Sequence, residues 1–313
     1  MSARDLVVGV DIGGTNVKAG IVDLATNEVL ASCGFPTNRD SEQELLASLC
    51  QAVDRLSSQV GRPRGAGVSI GSYVFADGSI DGTSSFVPFL VHGYPLARRL
   101  GEALCLPVRV DNDARLICLA EARDGAGKGY SRVLTMTLGT GVGVGLCEDG
   151  RPFGGEPFIH LAGHVKVRTG GEYPCLDRKP CYCGLEGCLE STCSGTSFQA
   201  FVHDLLGTEV TNEDAFERAA AGDEAASEAI AWYLDMLARA LNQYVYLYCP
   251  DVIVIGGGVA SGLGRYEDDL NNRIVAEVYE GQRTRVKITS LKEDSGILGA
   301  ASLFARDAIA DVT

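Results

Sequence analysis

The residues of this sequence with the most specific chemistry form a cysteine cluster, CYCGLEGCLE, at 181–190. Cys181, Cys183 and Cys188 offer thiolates at the close spacing that structural zinc sites use, and such sites take four nitrogen or sulfur ligands. A disulfide is disfavoured because we expect reduced thiols, and a nucleophilic cysteine would need a base that no Cys/His pattern supplies. The sequence offers four candidates for the missing ligand: His164, His160, Cys175 and Cys193.

Three glycine-rich turns follow hydrophobic runs and are suited to binding a nucleotide. They are Asp11–Thr15 (DIGGT), Gly139–Gly141 (GTG) and Gly256–Gly258 (GGG). Glycine lets backbone N–H groups approach phosphate oxygens, and the Thr15 hydroxyl adds a donor. Two such turns could hold a polyphosphate, and the third could let a flat base lie against the backbone. One turn alone indicates only a turn, but three at the ends of strands favour a nucleotide site.

The residues Asn112-Asp113 close a predicted strand and open a predicted helix. Asp113 either caps that helix or acts as a general base, and the sequence leaves both readings open. Transfer of a phosphoryl group to an alcohol needs a carboxylate that accepts the hydroxyl proton, together with donors and Mg²⁺ on the phosphates. Two rival nucleotide motifs, the Rossmann G-x-G-x-x-G and the P-loop G-x-x-x-x-G-K-[ST], are absent.

The elements that must position these residues read as a repeated α/β plan. About the first 120 residues read β-β-β-α-β-α-β-α, which predicts a mixed sheet with helical crossovers. The pattern restarts at 132 with a strand, the GTG turn and a second strand. Residues 150–196 read as irregular, 211–248 as helical, and 296–311 as a last helix. We predict two α/β lobes: a small one of residues 1–115 and 298–313, and a larger one of residues 116–297 that carries the cysteine loop.

Composition excludes several functional classes. The net charge is 27 − 41 = −14 with no Lys/Arg cluster, which disfavours nucleic acids and anionic membranes as partners. No apolar run reaches the roughly 18 residues of a membrane helix, and the N-terminus does not read as a secretory signal. These features predict a cytoplasmic protein. Four cysteines that stand singly in apolar segments are predicted to be buried: Cys50, Cys105, Cys118 and Cys249.

Taken together, the motifs resemble those of the ROK proteins, a family of repressors, open reading frames and sugar kinases. The resemblance covers nearly the whole chain, and the cysteine signature after Gly163-His164 is highly specific. It rests on DIGGTNVKAGIVD at 11–23, PVRVDNDARLICLAE at 107–121, LGTGVGVGL at 138–146, CYCGLEGCLE at 181–190 and DVIVIGGGV at 251–259.

The resemblance implies an α/β, actin-like ATPase (ribonuclease H-like) fold with mixed sheets flanked by helices, and an ATP- and Mg²⁺-dependent sugar kinase. Asp113 would be the general base, and Asn112, Asp113, His164 and Glu190 would hold the sugar. The nucleotide residues would be Asp11, Gly13, Gly14, Thr15, Asn16, Lys18, Gly139, Thr140, Gly141, Gly256, Gly257 and Gly258. A structural Zn²⁺ held by His164, Cys181, Cys183 and Cys188 would order the sugar-binding loop.

The sequence departs from the family pattern on the sugar side. Leu161 stands where these kinases usually have a glutamate three residues before the histidine. Ser84–Pro88 (SSFVP) replaces a Ser-Pro-Asn-Leu-like stretch, and Gly71-Ser72 replaces Pro-Gly. A site that loses hydrogen-bonding groups rejects a fully hydroxylated sugar less sharply or prefers one that lacks those hydroxyls. We therefore hypothesise a substrate other than plain glucose: a rarer hexose, a deoxy or substituted sugar, or a polyol, with His160 as a replacement contact.

Two alternatives remain from the sequence. ROK repressors carry a helix-turn-helix ahead of the first strand, and here only about five residues precede that strand. A catalytically weakened sugar sensor is favoured by the altered sugar contacts and disfavoured by the presence of Asp113 and both phosphate turns. Family resemblance also predicts a homo-oligomer, a dimer or a tetramer. Neither the sugar nor the hydroxyl that is phosphorylated can be read from the sequence.

Overall fold

The computed structural model describes residues 4–82, 87–153, 157–167, 178–277, 279, 281–291 and 294–305. These residues form two five-stranded sheets. The first has the order β3-β2-β1-β4-β5, with β1 Leu6–Ile12, β2 Asn16–Asp23, β3 Glu28–Pro36, β4 Ala66–Ile70 and β5 Val108–Asn112. The second has the order β10-β9-β6-β7-β8, with β6 Arg132–Leu138, β7 Val142–Glu148, β8 Arg151–Pro152, β9 Val252–Gly256 and β10 Arg285–Ile288.

The helices of the described residues flank these strands along the chain. In chain order they are α1 Glu42–Val60, α2 Leu96–Leu104, α3 Asp113–Asp124, α4 Leu189–Cys193, α5 Gly195–Leu206, α6 Asn212–Ala220, α7 Glu224–Tyr248, α8 Ala260–Leu263, α9 Glu267–Glu277 and α10 Ser295–Ser302. Two 3₁₀ helices, Pro157–His164 and Gly264–Tyr266, complete the set.

The strand order repeats between the two sheets. In the first sheet β1 pairs antiparallel with β2 and parallel with β4, and β4 pairs parallel with β5. In the second sheet β6 holds the place of β1, between β7 and β9, and β9 is parallel to both β6 and β10. The predicted α/β class with mixed sheets, and the predicted repeat of plan, are confirmed.

The apolar pattern explains which strands are central. Every residue of β4 and of β9 is buried, as expected for parallel strands covered on both faces. The edge strand β3 instead alternates between exposed and partly buried positions. Helix α1 adds Leu45, Leu49, Val53 and Leu56 to the core that packs on the first sheet.

Helix α10 lies directly on the backbone of the first sheet. Gly9 of β1 and Gly67 of β4 are register partners. A Cβ atom at Gly9 would stand 2.1 Å from the Ile297 carbonyl oxygen, and one at Gly67 would stand 1.8 Å from the Ala300 carbonyl oxygen. No real Cβ approaches an oxygen so closely, so this packing requires glycine at both positions.

Several predicted boundaries differ from the structure. The helical stretch 211–248 is two helices, because the left-handed Gly222 ends the first and the Asp223 carboxylate caps the second at Ala226 N–H. The stretch predicted as irregular contains β8, the 3₁₀ helix Pro157–His164, α4 and the start of α5. The last helix ends at Ser302 rather than continuing through 305, and residues 306–311 lie outside the described part.

The burial prediction for single cysteines is wrong at two positions. Cys118 is buried, but Cys50 is only partly buried, and Cys105 and Cys249 are exposed. Cys105 follows α2 and Cys249 follows α7, each in the left-handed conformation that ends a helix, with φ of 52° and 46°. Apolar neighbours in the sequence therefore did not indicate burial where a helix ends.

The chain divides into two compact units. The first comprises Met1–Gly125, Gly145–Phe158 and Glu293–Thr313, and the second comprises Ala126–Val144 and Ile159–Lys292. The predicted lobe boundaries, at 115/116 and 297/298, stay a prediction. None of the helices in the described residues is long and apolar enough to span a membrane.

Candidate active site and metal site

The first unit gathers three strand ends at one edge of its sheet. Ile12, Ile70 and Asn112, near or at the carboxyl ends of three neighbouring parallel strands, are register partners. The residues that follow them therefore meet at this edge, where open α/β sheets bind their ligands. A cavity of about 140 Å³ lies there, and its lining includes Asp11, Gly13, Gly14, Gly71, Val87 and Asp113.

Asp113 is the first residue of α3 and is not its cap. The side chain of Asn112 caps the helix by accepting from the N–H groups of Ala114 (3.0 Å) and Arg115 (3.3 Å), so the reading of Asp113 as N-cap is wrong. Asn112 is 2% exposed and also donates to the Ser72 carbonyl. Its side chain therefore holds the start of α3 in place, and its predicted contact with a sugar stays a prediction.

The Asp113 carboxyl group has the electrostatic properties of a base. Burial raises its pKa to about 6; the N–H of Ala114, 2.7 Å from Oδ1, opposes this rise, and the nearby charge of Asp11 adds to it. The group is thus ionised at neutral pH but close enough to its pKa to accept a proton.

Asp11 lies in the same cavity and has partners that the sequence did not indicate. Ser69, its register partner in β4, donates a hydrogen bond of 2.7 Å to Asp11 Oδ1. Burial raises the pKa of Asp11, while the Ser69 hydroxyl and the charge of Lys18 lower it. A Cβ atom at Gly296, at the start of α10, would stand 2.7 Å from this carboxylate. The Asp11 side chain is therefore fixed from two directions.

The turn after β1 is shaped by backbone hydrogen bonds and by Thr37. Gly13 N–H donates to the Asn16 carbonyl at 3.1 Å, and the Thr37 hydroxyl donates to the Gly13 carbonyl at 2.7 Å. Thr37 N–H donates to the Thr15 carbonyl at 2.9 Å. Thr15 and Asn16 are exposed, so the predicted phosphate-binding residues of this turn are accessible.

The second unit places its two glycine-rich turns at one edge of its sheet. Strands β6 and β9 are parallel with Thr137 opposite Gly256, so the turns that follow them are neighbours. Gly257 has φ of +88°, and a Cβ there would stand 2.5 Å from the Leu138 carbonyl oxygen. Only glycine fits this approach of the two turns. Thr140, in the middle of the other turn, is exposed.

Four predicted metal ligands come together in the second unit. The donor atoms of His164, Cys181, Cys183 and Cys188 all lie within 4.8 Å of one another, and this is the only such group of three or more among the described residues. Cys181 Sγ is 3.5 Å from His164 Nδ1, and Cys183 Sγ is 3.4 Å from Cys188 Sγ. Zinc with Zn–S bonds of about 2.3 Å needs ligand separations of about 3.8 Å, so the donor set fits a tetrahedral zinc ion.

Of the competing ligands, only Cys193 has its side chain among the described residues, and it is not part of this group. Cys193 is buried, its Sγ accepts from the Thr192 hydroxyl, and burial raises its pKa to about 12. Cys175 and the side chain of His160 lie outside the described residues, as does most of the altered stretch Ser84–Pro88. Val87 of that stretch is 3% exposed and lines the cavity of the first unit.

Local backbone geometry explains two glycines near the predicted ligands, Gly184 and Gly163; the loop 178–188, which carries the three cysteines, is named the metal loop. Gly184 N–H donates to the Cys181 carbonyl, and Cys181 N–H donates to the Leu185 carbonyl, which forms a tight turn with Gly184 at φ of 86°. At Gly163 a Cβ would stand 2.1 Å from the Val142 carbonyl oxygen, so the residue before His164 must be glycine.

Two side chains near the ligands were missed by the sequence reading. The Tyr182 ring lies edge-on to the His164 ring at 5.1 Å and 90°. Burial and the nearby charge of Glu190 raise the pKa of the Tyr182 hydroxyl. The hydroxyl of the buried Tyr244 in α7 donates a hydrogen bond of 2.6 Å to the Ala162 carbonyl. This bond holds the segment that leads to His164. The sequence Cys-Tyr-Cys indicated only metal ligands, and a tyrosine within a long helix carried no sequence signal for a contact.

Leu161, the apolar residue three positions before His164, is 41% exposed.

Helix α4 connects the metal loop to the turn after β6. The Glu190 Oε2 atom accepts from Val142 N–H at 3.1 Å and lies so near Gly141 that a Cβ there would be 2.8 Å away. Gly195 N–H donates to the Gly139 carbonyl at 2.7 Å. The turn Gly139–Val142 is therefore held at both ends.

Comparison with known proteins shows the family of the chain. The sequence model of the ROK family matches residues 7–307, and the chain belongs to the ROK family. A curated relative, N-acetylgalactosamine kinase AgaK of Shewanella sp. (strain ANA-3), is 32% identical over 94% of this chain and 95% of its own length.

Two solved structures share the fold. A ROK hexokinase from Thermus thermophilus is 29% identical, with a TM-score of 0.80 over 95% of this chain and 96% of that one. A ROK family glucokinase from Streptomyces griseus, solved with glucose and AMPPNP, is 25% identical, with a TM-score of 0.77 over 95% of this chain and 98% of that one. The chain therefore has the actin-like ATPase fold that was predicted from the sequence.

Proposed function

We propose that this chain is an ATP-dependent sugar kinase that transfers the γ-phosphoryl group to a hydroxyl of a hexose or hexose derivative. The observation that carries the proposal is Asp113: a carboxylate with a pKa near 6, in a cavity formed beside the Gly13-Gly14 turn. Membership of the ROK family and the kinase names of its relatives support the same activity.

In this mechanism Asp113 accepts the proton of the attacking sugar hydroxyl. The sugar oxygen forms a bond to the γ-phosphorus as the bond from that phosphorus to the bridging oxygen of ADP breaks, and ADP leaves with the electron pair. The residues at Asp11–Asn16, Lys18 and Gly139–Gly141 bind the phosphates, and Gly256–Gly258 lies against the adenosine. Mg²⁺ bound to ATP neutralises charge on the phosphates.

The proposed metal ion is structural. His164 and the three cysteines would hold Zn²⁺, which, when bound, fixes the loop 178–188 and takes no part in phosphoryl transfer. His164 and Glu190 would then be oriented toward the sugar. A cytoplasmic homo-oligomer without a nucleic-acid partner remains our expectation for the assembled protein.

The substrate is proposed to be a sugar other than plain glucose. An exposed Leu161 offers no hydrogen bond where related kinases usually have a carboxylate. A curated relative is named for N-acetylgalactosamine, so N-acetylhexosamines come first among the candidates, followed by deoxy sugars, rarer hexoses and polyols.

The test is ADP release from Mg-ATP across a panel of these sugars, with glucose included. We expect strong turnover on one sugar, loss of turnover in Asp113→Asn, and normal turnover in Asp204→Asn, an exposed control with the same charge change. Turnover on no sugar, from protein shown to bind ATP and zinc, would contradict the kinase assignment and favour a sugar sensor. Clear preference for glucose would contradict the substrate proposal alone.

A further inference from the structure

The contacts of Glu190 raise a question about its role. As a sugar ligand it should present its carboxylate to the substrate. One of its oxygens, Oε2, instead accepts a hydrogen bond of 3.1 Å from Val142 N–H. Glu190 is the second residue of α4 and follows the predicted metal ligand Cys188 by two positions. Glu190 therefore joins the metal loop to the turn Gly139–Val142.

The arrangement fixes the ends of this turn and leaves its middle accessible. Gly195 N–H, just beyond α4, holds the Gly139 carbonyl at 2.7 Å, and Glu190 holds Val142 N–H. Gly139 N–H also donates to the Gly141 carbonyl at 3.0 Å, which closes the turn on itself. Thr140 between these points is exposed. A short helix that begins directly after Cys188 thus shapes the segment proposed to bind phosphates.

A carboxylate at this position needs an explanation, because a negative charge near ATP phosphates opposes binding. The explanation is the length of the side chain, here called its reach. Glu190 is long enough to accept a hydrogen bond from Val142 N–H, and Gly141 has no Cβ that would displace the carboxylate. An amide oxygen of the same length could accept the same hydrogen bond without the charge. A shorter carboxylate would keep the charge and lose the reach.

We propose that Glu190 is a positioning residue for the phosphate-binding turn, so that α4 couples the order of the metal loop to nucleotide binding. This inference rests on the proposed function, because it takes Gly139–Gly141 to bind ATP phosphates. It adds a nucleotide-side role to a residue that was assigned only to the sugar.

The experiment compares Glu190→Gln, which keeps reach and removes charge, with Glu190→Asp, which keeps charge and shortens reach. Affinity for Mg-ATP is measured by calorimetry without sugar, so no turnover is needed. Glu186→Gln, an exposed position on the same loop, is the matched control. Circular dichroism and zinc content establish that each variant is folded and metal-loaded.

We expect Glu190→Asp to weaken Mg-ATP binding about tenfold, as for the loss of one hydrogen bond with a charged partner. Glu190→Gln should bind Mg-ATP within about twofold of wild type, or more tightly, and Glu186→Gln should be unchanged. Unaltered nucleotide affinity in Glu190→Asp, or equal weakening in both variants, overturns the inference while the kinase assignment stands. Wild-type protein that does not bind Mg-ATP overturns both.

Discussion

The proposed role of Asp113 as general base places opposite demands of function and stability on a single residue. A base must be ionised, yet burial disfavours the charged form and raises the pKa of Asp113 to about 6. The folded protein therefore holds an ionised group at neutral pH at a cost in stability. The N–H of Ala114 offsets part of this cost by donating to Oδ1 at 2.7 Å.

Replacing this base should stabilise the protein while inactivating it. The rise in the pKa of Asp113 from 3.8 to about 6 corresponds to at most about 3 kcal/mol at pH 7–8, and Asn removes the charge while keeping an acceptor for Ala114 N–H. We expect Asp113→Asn to have no turnover and a higher free energy of unfolding, measured by urea denaturation at pH 8. The gain should vanish below about pH 4, where the carboxyl is protonated in both folded and unfolded states. A variant that is less stable at pH 8 would contradict this account.

The pH dependence of the reaction should report the same group. Protonation of Asp113 removes the base, so kcat/KM should fall about tenfold per pH unit below its folded pKa of about 6 and level off above it. Initial rates from pH 4.5 to 8.5, with stability checked at each pH, would measure this profile. An inflection near 4, the ordinary pKa of an aspartate, would show that burial of Asp113 does not control the chemistry.

Leu161 should determine which sugar is used. It is exposed in the 3₁₀ helix and lies three residues before His164, on the same face of that helix. Leu161→Glu restores an acceptor for sugar hydroxyls, so we expect kcat/KM for glucose to rise about tenfold relative to the preferred sugar. Leu161→Gln, an uncharged acceptor, separates hydrogen bonding from charge. An unchanged ratio in both variants would show that Leu161 does not contact the substrate.

At the scale of elements, the docking of α10 on β1 and β4 depends on missing side chains. The helix carbonyls of Ile297 and Ala300 occupy the space where Cβ atoms of Gly9 and Gly67 would be. The helix therefore packs closely on the sheet, and this packing places Gly296 against the Asp11 side chain. The same contact thus positions the sheet, the helix and the Asp11 side chain that lines the cavity.

A single methyl group should disrupt this contact. Gly67→Ala places a Cβ 1.8 Å from the Ala300 carbonyl oxygen, so helix and sheet must separate, and we expect a loss of about 3 kcal/mol or more in the free energy of unfolding. Gly264→Ala, where nothing lies within 4 Å of the new Cβ, is the control and should change stability by less than about 1 kcal/mol. Chemical denaturation measures both. Equal stability of the two variants would rule out the proposed packing.

The sequence predicted the elements best where local pattern and tertiary structure agree. Periodicity predicts helices over 42–60 and 96–104, and α1 and α2 have these bounds, because each has a continuous apolar face. Apolar spacing alone predicts α3 only from Leu116, whereas the pair Asn112-Asp113 predicts its true start, because the first turn is set by the Asn112 cap. The irregular stretch hid α4, because five residues are too few to show a period.

Site residues, too, could be predicted where a local sequence motif marks them and not where a tertiary contact places them. Motif spacing predicted three metal ligands, Cys181, Cys183 and Cys188, and left four candidates for the fourth. The resemblance to ROK proteins implied His164, and the structure brings these four side chains together. Motif spacing could not indicate the partners of Ser69 and Tyr244, which lie far away in sequence and depend on register and helix packing. Contacts between distant segments are not encoded in any short pattern.

At the scale of the whole molecule, the metal ion should contribute to global stability. An ion that binds the folded donor set stabilises the protein by mass action, and removing it leaves three thiols and a histidine crowded without a cation. We expect zinc-depleted protein to melt at least about 5 °C lower than the zinc-loaded form in differential scanning calorimetry. Re-addition of zinc should restore the Tm in wild type but not in Cys183→Ser. Identical Tm values with and without zinc would show that the cluster holds no structural ion.

The attachment of α4 at both ends has a consequence for how the chain can change through evolution. Cys188 would bind the proposed metal ion, while Glu190 and Gly195 contact the turn after β6. The interval from Cys188 to Gly195 therefore has a fixed length. One inserted residue would rotate everything beyond it by about 100° around the helix axis. Single substitutions within this interval are compatible with these contacts, but a change in its length is not. Insertions and deletions should therefore accumulate elsewhere in the chain.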